Sequence, residues 1–508
     1  MAELLPWSDH LPADVDATAL DLVAGRSLVD AWVERWAVAP DATALVDATS
    51  NGDGRTITNA ELDERSALAA RRLRAAGIAH GDRVLIAGTS SVDYVVAYLA
   101  ILRAGATALA VNSSYTEREV RAIAADARPQ AAISDQAMIR DAAAGVASTA
   151  FTADPSLAGL PGPDDTATID TAGPGDGALL VYTSGTTGTP KGVPLSHANL
   201  LASAEAVRLA WRWQPDDRLV LALPLYHLHG LGVGLHGTLV TGASALLQDR
   251  FDPDAVIDAV AGGATMFFGV PTMWTRLAGN PRIEQLATMR LGVSGSAPLP
   301  ADLHRRIAEL VGRPPLERYG MSETAMLTSN PYDGERRAGS VGFPLPGVDV
   351  RLATGGDGPG EIEVRGPNVF TGYLDRPEAT AEAFDGGWFR TGDLGEVDAD
   401  GYLHIVGRSK ELIISGGFNV FPREVEDVLR ACPGVVDACV VGVPDAEWGE
   451  RVTAFVVGEP DDTTLVAWAA ERLVAYKRPR RWERIDDVPR NSMGKVQRDV
   501  LVRRATGT

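Results

Sequence analysis

Cysteine is almost missing from this chain. Cys432 and Cys439 are the two in 508 residues, and no histidine stands near them to complete a metal site. That pattern fits a reducing, cytoplasmic compartment and excludes a disulfide scaffold. Positive charge is also short: 47 Lys and Arg against 67 Asp and Glu give a net charge of −20. Nucleic-acid-binding surfaces are normally basic, so none is expected. Any bound polyanion needs a local cluster of cations or a metal. No apolar run approaches the length that spans a bilayer, so no integral membrane association is expected. The opening MAELLPWSDH lacks the basic start of a secretory signal. Internal repeats and low-complexity tracts are missing too.

What is present is ordinary in amount and ordered in pattern. Hydrophobic residues make up 45% and charged residues 22%, as in soluble globular proteins. A chain of 508 residues is too long for one core, so two or more domains are expected. Residues 83–87, 107–111 and 131–134 read as short apolar strands. Between them, Asn59 is placed to cap a helix running to Ala76, residues 94–102 have helical spacing, and Thr116 with Glu119 forms a capping box. Residues 152–177, rich in Pro, Gly, Asp and Thr, read as an exposed connection. The alternation resumes at 219–223, 254–261 and 265–269. It predicts an α/β fold with doubly wound, mostly parallel sheets. From about 348 to 405, short strands with Gly and Asp turns predict a small β-barrel-like subdomain. Residues 409–508 then read as a compact α+β domain with Pro422 at a helix start, leaving 1–408 as the large N-terminal domain.

The most distinctive stretch is 182–192, YTSGTTGTPKG. Glycine lets backbone amides approach a ligand, inward hydroxyls and amides make an anion nest, and Lys191 adds a compact positive charge. The loop follows an apolar strand at 178–181 and precedes Ser196, the expected cap of a helix over 197–210. Strand, Gly-rich loop and helix is a common setting for phosphate. It is not the nucleotide-triphosphatase P-loop, because Pro190 precedes the lysine and Gly192 follows it.

Six further segments stand in order behind it: PLYHLHG (224–230), SGSAPL (294–299), ERYGMSET (317–324), TGD (391–393), GRSKELIISGG (407–417) and PRNSMGK (489–495). Together with the loop they resemble the adenylate-forming acyl-CoA synthetases, a superfamily that includes peptide-synthetase adenylation domains and beetle luciferases. The resemblance covers nearly all the chain after residue 57. It implies that a carboxylate attacks the α-phosphorus of ATP, pyrophosphate leaves, and coenzyme A takes the acyl group from the adenylate.

The resemblance also implies roles. Thr183, Ser184, Gly185, Thr186, Thr187, Gly188 and Lys191 would hold the β- and γ-phosphates, with Thr183 and Glu323 at Mg²⁺. Ser294, Gly295, Ser296 and Ala297 would flank the adenine with Glu317, Arg318, Tyr319, Gly320, Met321 and Ser322. The family most often has Thr at the position of Ser322; the hydroxyl is kept. Asp393 and Arg408 would take the ribose. Lys495 would be the catalytic lysine, bridging carboxylate and α-phosphate, with Thr183 and Glu323 also catalytic. Lys410 sits at the expected hinge, about which the small domain would turn between half-reactions. Ser415, Gly416, Gly417 and Phe418 would line the path of coenzyme A.

The acid itself is less constrained. Amino-acid-activating relatives carry an Asp where this chain has His227 and His229, which disfavours an amino acid. Wording such as GATMFFGVPTMWTRL and RGPNVFTGYLDRPEAT resembles malonyl-CoA synthetases in particular. Malonate or methylmalonate leaves a second carboxylate in the pocket, which must meet a cation. Arg290 is the expected partner, helped by His227 or His229, with Gly269, Ser294 and Met326 lining the pocket. The alternatives are a medium-chain or aryl (coumarate-like) acid ligase, an inactive relative, or a luciferase-like oxygenase. Expected partners are small molecules only, in a monomer or homodimer.

Overall fold

The computed structural model describes residues 5–7, 10–50, 52, 54–146, 148–183, 190–353, 359–490 and 496–507. Two sheets dominate the large N-terminal part. One has nine strands, in spatial order Phe343–Pro344, Ala325–Ser329, Leu316–Met321, Leu291–Ser294, Met266–Gly269, Arg218–Leu221, Ser244–Leu247, Thr43–Asp47 and Thr56–Thr58. The run from Leu316–Met321 to Thr43–Asp47 is parallel throughout. The other sheet has six strands, Phe151–Ala153, Ala131–Ser134, Arg83–Ala87, Thr107–Ala110, Gly177–Thr183 and Lys191–Ser196. All but the last pair are parallel there.

Helices fill the space between the two sheets. Val92–Arg103 is buried at every position except Asp93. A helix apolar on all faces belongs inside a layer rather than on a surface. Its one charged interior residue, Arg103, is neutralised by Asp63 at 2.6 Å and Asp170 at 2.7 Å. His197–Ala210 is nearly as buried and packs against strands of both sheets.

Two local readings change. The cap of the helix Asn59–Ala75 is Thr58, whose hydroxyl accepts from Glu61 N while the Glu61 carboxylate accepts from Thr58 N. The Gly/Thr-rich stretch does not lead straight into a helix. Lys191–Ser196 is an antiparallel strand, with Thr183 opposite Lys191, because Val193 and Leu195 alternate into the core. The following helix is capped by its own Ser196–Asn199 pair. Its N-terminus lies about a strand's length, roughly 17 Å, from Lys191. The helix N-terminus expected to adjoin this stretch is therefore one strand away from Lys191.

An antiparallel five-stranded sheet follows, from Asp349–Ala353 to Leu403–Arg408. The smaller C-terminal domain carries its own sheet, in which Val435–Asp445 and Gly449–Gly458 form a long hairpin. Helices Pro422–Arg430, Asp462–Arg472 and Arg498–Thr506 accompany that sheet, whose two sides carry separate apolar cores.

Two histidines are sealed inside the N-terminal core. His197 has no hydrogen-bond partner on either ring nitrogen among the described residues, and His236 meets the Tyr98 hydroxyl at 2.8 Å. Burial pushes the His197 imidazole down to about 4 and that of His236 down to about 3. Both are neutral when folded, while in the unfolded chain they protonate near about 6.5. The unfolded state therefore binds more protons below that pH, and stability falls as pH drops from about 6.5 toward 4. Denaturant titrations across that window should show the loss, and the double variant His197→Asn, His236→Gln should have a visibly flatter pH slope. An unchanged slope would remove these histidines as its cause.

Candidate active site

Parallel sheets bind ligands at the carboxyl ends of their strands. Here Gly269 pairs with Ser294, and Ser294 with Glu317, so two strand ends lie side by side against a third strand that runs on past them to Met321. Ser294 is fully buried and its hydroxyl has no partner among the described residues. The next residue must be glycine. A Cβ on Gly295 would lie 2.4 Å from Nε of Arg318. Ser296 follows in a left-handed conformation, φ +70°, which turns its hydroxyl to 3.2 Å from Nδ1 of His229. The His229 ring stacks on Phe268, and its backbone N–H donates to Nδ1 of His227 at 3.3 Å. Gly230 allows this tight turn, since a Cβ there would strike the Pro224 carbonyl at 2.4 Å.

Arg318 is the outlier among the charges. It is 4% exposed, and its Nε and Nη2 have no partner among the described residues. Burial alone holds its guanidinium down to about 9. An interior charge without a counter-ion is expensive, so the position calls for an anion that the chain itself does not supply. His227 and His229 lie close enough for Arg318 to lower both imidazoles further. Desolvation is the larger cause and takes His227 to about 4. Both are neutral near pH 7 and are placed to hydrogen-bond.

Arg290 is not in this crevice. It precedes its strand, at the opposite end of the sheet, where its N–H donates to the Thr265 carbonyl. Its Nε donates to Asp217 Oδ1 at 2.6 Å, Nη2 takes the other oxygen, and Nη1 donates to the Trp211 carbonyl at 3.1 Å. The guanidinium is already neutralised by a buried carboxylate, so the role expected of it as a substrate cation is overturned.

A second group gathers around Asp393, which is 4% exposed. The Tyr319 hydroxyl donates to Oδ2 at 2.5 Å, and Arg408 Nε lies 3.0 Å from Oδ1. Asp393 and Arg408 are cross-strand partners. Each carboxylate oxygen keeps a free lone pair, so the group can still accept from a ligand hydroxyl. Glu317, nearby in sequence, is buried with Oε1 on the Leu299 N–H and Oε2 unpartnered among the described residues; burial lifts its carboxyl to about 7.

A third group is formed by Thr183, Lys191 and Glu323. Glu323 is 6% exposed and has no ion-pair partner among the described residues. Desolvation raises its carboxyl above the usual range. The Tyr373 hydroxyl donates to its Oε1 at 3.0 Å, and Nζ of Lys191 lies 4.8 Å above the same tyrosine ring. A buried carboxylate and an ammonium that touch the same tyrosine suit a site that receives phosphates with a divalent cation. Gly320, Met321 and Ser322 form the approach to the turn, and Gly320 tolerates no Cβ against the Ala325 carbonyl. Met326 is buried close behind.

Ser184, Gly185, Thr186, Thr187, Gly188 and Lys495 lie outside the described residues. Lys410 stands in the 3₁₀ turn Ser409–Glu411 beside the Asp393 strand. Gly416 and Gly417 join two short strands and both have positive φ, +59° and +81°, so the turn itself requires glycine. Ser415 is buried there, and Phe418 is exposed and stacks on Tyr476. Two features escaped the sequence reading: the free charge of Arg318, which lay in a quoted motif but was given to the nucleotide, and Tyr373, in GYLDRPEAT.

Residues 32–374 match the family model of AMP-binding enzymes, and 424–495 match the AMP-binding enzyme C-terminal domain. The crystal structure of ATP-bound MatB from Rhodopseudomonas palustris is 42% identical, covers 94% of this chain and 98% of its own, and superposes with a TM-score of 0.88. Feruloyl-CoA synthase of an Amycolatopsis species is 38% identical over 487 residues, 93% of this chain and 98% of its own. Sulfoacetate–CoA ligase of Cupriavidus necator is 42% identical over 365 residues, 69% of this chain and 72% of its own.

The two arginines should separate in stability. Arg290→Met strands the buried Asp217 and should cost about 3 kcal/mol in denaturant unfolding. Arg318→Met removes an unpaired interior charge and should leave stability equal or higher. The reverse ranking would exchange their roles.

Proposed function

This chain belongs to the AMP-binding enzymes and is an AMP-forming acid–thiol ligase that uses ATP, and we propose that its acid carries a second anionic group, with malonate or methylmalonate the best fit. The observation that carries this reading is Arg318, a buried guanidinium with no counter-ion among the described residues, beside two neutral imidazoles. A neutral acyl or aryl tail leaves that charge unanswered; a carboxylate answers it in charge and bidentate geometry. The resemblance to malonyl-CoA synthetases supports the same choice, as does a relative named for sulfoacetate, which also bears two acidic groups. The relative named for feruloyl-CoA favours the other reading, an aryl acid.

In this reading Arg318 and His229 hold the distal carboxylate, so the reacting carboxylate points toward the nucleotide. Asp393, with Tyr319 and Arg408 fixing it, accepts from the ribose hydroxyls. Thr183 and Lys191 grip the β- and γ-phosphates. Thr183 and Glu323 would hold Mg²⁺, which supplies charge neutralisation on the phosphate oxygens when bound. The carboxylate oxygen bonds to the α-phosphorus and the bond to the pyrophosphate oxygen breaks. Lys495 would stabilise the charge that develops between them. The coenzyme A thiolate then attacks the acyl carbon, and AMP leaves with the bonding pair. Coenzyme A would pass the Ser415–Phe418 turn, with Lys410 as the pivot of the C-terminal domain.

Pyrophosphate release over malonate, methylmalonate, acetate, octanoate and coumarate, with and without coenzyme A, decides between the readings. Malonate or methylmalonate should lead, and Arg318→Met should lower kcat/KM for it by about a hundredfold or more, the loss of a charge-paired contact. The loss should be much smaller for coumarate. Preference for coumarate in the parent enzyme would overturn the reading.

A further inference from the structure

The segment 367–376 belongs to neither main sheet, yet it fastens parts of both. Nδ2 of Asn199, on a helix between the sheets, donates to the Pro367 and Val369 carbonyls at 2.8 and 2.9 Å. Asn368 Nδ2 donates to the carbonyls of Thr324 and Met326, each at 2.8 Å. The Phe370 N–H donates to the Glu323 carbonyl at 2.8 Å. Four residues on, the Leu374 N–H donates to the Gly192 carbonyl at 2.9 Å. Arg376 pairs with Asp126 at 2.6 Å, the same carboxylate that accepts from the Tyr182 hydroxyl at 2.7 Å. The segment therefore holds the turn that bears Glu323 at one end and the stem of the Gly/Thr hairpin at the other.

Tyr373 sits between these fastenings and touches both functional side chains. Its hydroxyl donates to Glu323 Oε1 at 3.0 Å. Its ring lies under Lys191 Nζ at 4.8 Å to the centroid and is braced edge-on by Phe370 at 4.9 Å. Its own backbone N–H is taken by Thr380 Oγ1 at 2.9 Å. The ring has little freedom to leave this position.

We propose that Tyr373 is a positioning residue for the metal–nucleotide complex, setting Glu323 through its hydroxyl and Lys191 through its ring. This rests on the reading of Glu323 as a Mg²⁺ ligand given above. A carboxylate free to rotate about its terminal torsion offers either oxygen. One donor fixed on Oε1 sets the plane of the group and leaves Oε2 presented. The aromatic face attracts the ammonium electrostatically and holds it over the ring whose hydroxyl meets the carboxylate. One side chain thus sets the distance between the cation from one sheet and the anion from the other.

The test is calorimetric binding of ATP to the full-length enzyme, once with Mg²⁺ and once in EDTA, for the parent, Tyr373→Phe, Tyr373→Leu and Glu323→Gln. Tyr373→Phe keeps the ring and loses the hydroxyl. It should bind ATP about tenfold more weakly with Mg²⁺, the loss of a hydrogen bond to a charged group, and equally to the parent in EDTA. Tyr373→Leu should in addition weaken binding in EDTA by about threefold, the loss of an exposed cation–π contact. Thermal unfolding midpoints should place Tyr373→Phe with the parent. An equal loss in both media for Tyr373→Phe would mean packing alone and overturn the proposal. If Glu323→Gln loses the Mg²⁺ effect and Tyr373→Phe does not, the positioning role fails while the metal reading stands. If Glu323→Gln binds like the parent with Mg²⁺, the metal reading fails first, and the proposal with it.

Discussion

A charged side chain in the interior without a counter-ion costs several kcal/mol, and a fold keeps one only if its surroundings leave it no other place. Arg318 meets that condition. The backbone of Gly295 lies directly over its Nε, which excludes any side chain there. The neighbouring imidazoles are neutral and cannot answer the charge. The wider structure supplies the offset. Helices buried on nearly every face fill the space between two sheets, and that apolar core carries the burden of the unpaired group. Arg290 and Arg103 show the contrasting solution, each matched inside the chain by aspartates. The difference between Arg103 and Arg318, both 4% exposed, is therefore one of pairing, not of depth.

Much of the fold was legible because its signals are local. Thr116 with Glu119, Ser196 before His197, and Pro422 at a helix start appear in the structure as read. The strand Lys191–Ser196 escaped because six residues beginning with Lys and containing Gly and Pro do not look like a strand; it exists through pairing with Gly177–Thr183. The site was legible in its motifs and not in its polarity. Arg290 and Arg318 belong to adjacent parallel segments, one just before its strand and one within it, and position along the strand direction separates them. One precedes its strand and meets Asp217; the other lies within its strand, near the ligand end. Chain direction was available in the sequence. The presence of Asp217 as a partner was not, since 73 residues separate it from Arg290.

The site is also divided among three sheets that meet in one apolar core. Lys191 comes from the six-stranded sheet, Tyr319 and Glu323 from strand Leu316–Met321 of the nine-stranded one and the turn after it, and Asp393 and Arg408 from the antiparallel sheet that follows. Such a site is only as exact as the contacts between its carriers. The hydrogen bonds of residues 367–376 and the Asp393–Tyr319 contact are those joints, and they are short and largely buried. Precision here depends on these polar fastenings together with the core that the three sheets share.

The strand Leu316–Met321 places two successive residues on opposite faces. Arg318 lies against Gly295 and the histidines, and Tyr319 turns to Asp393. Neighbouring codons thus write two separate recognition surfaces, one for the acid in the proposed reading and one for the nucleotide. Because the two side chains leave the strand on opposite sides, in the proposed reading a change at Arg318 would alter the fit to the acid and leave the contact of Tyr319 with Asp393 in place.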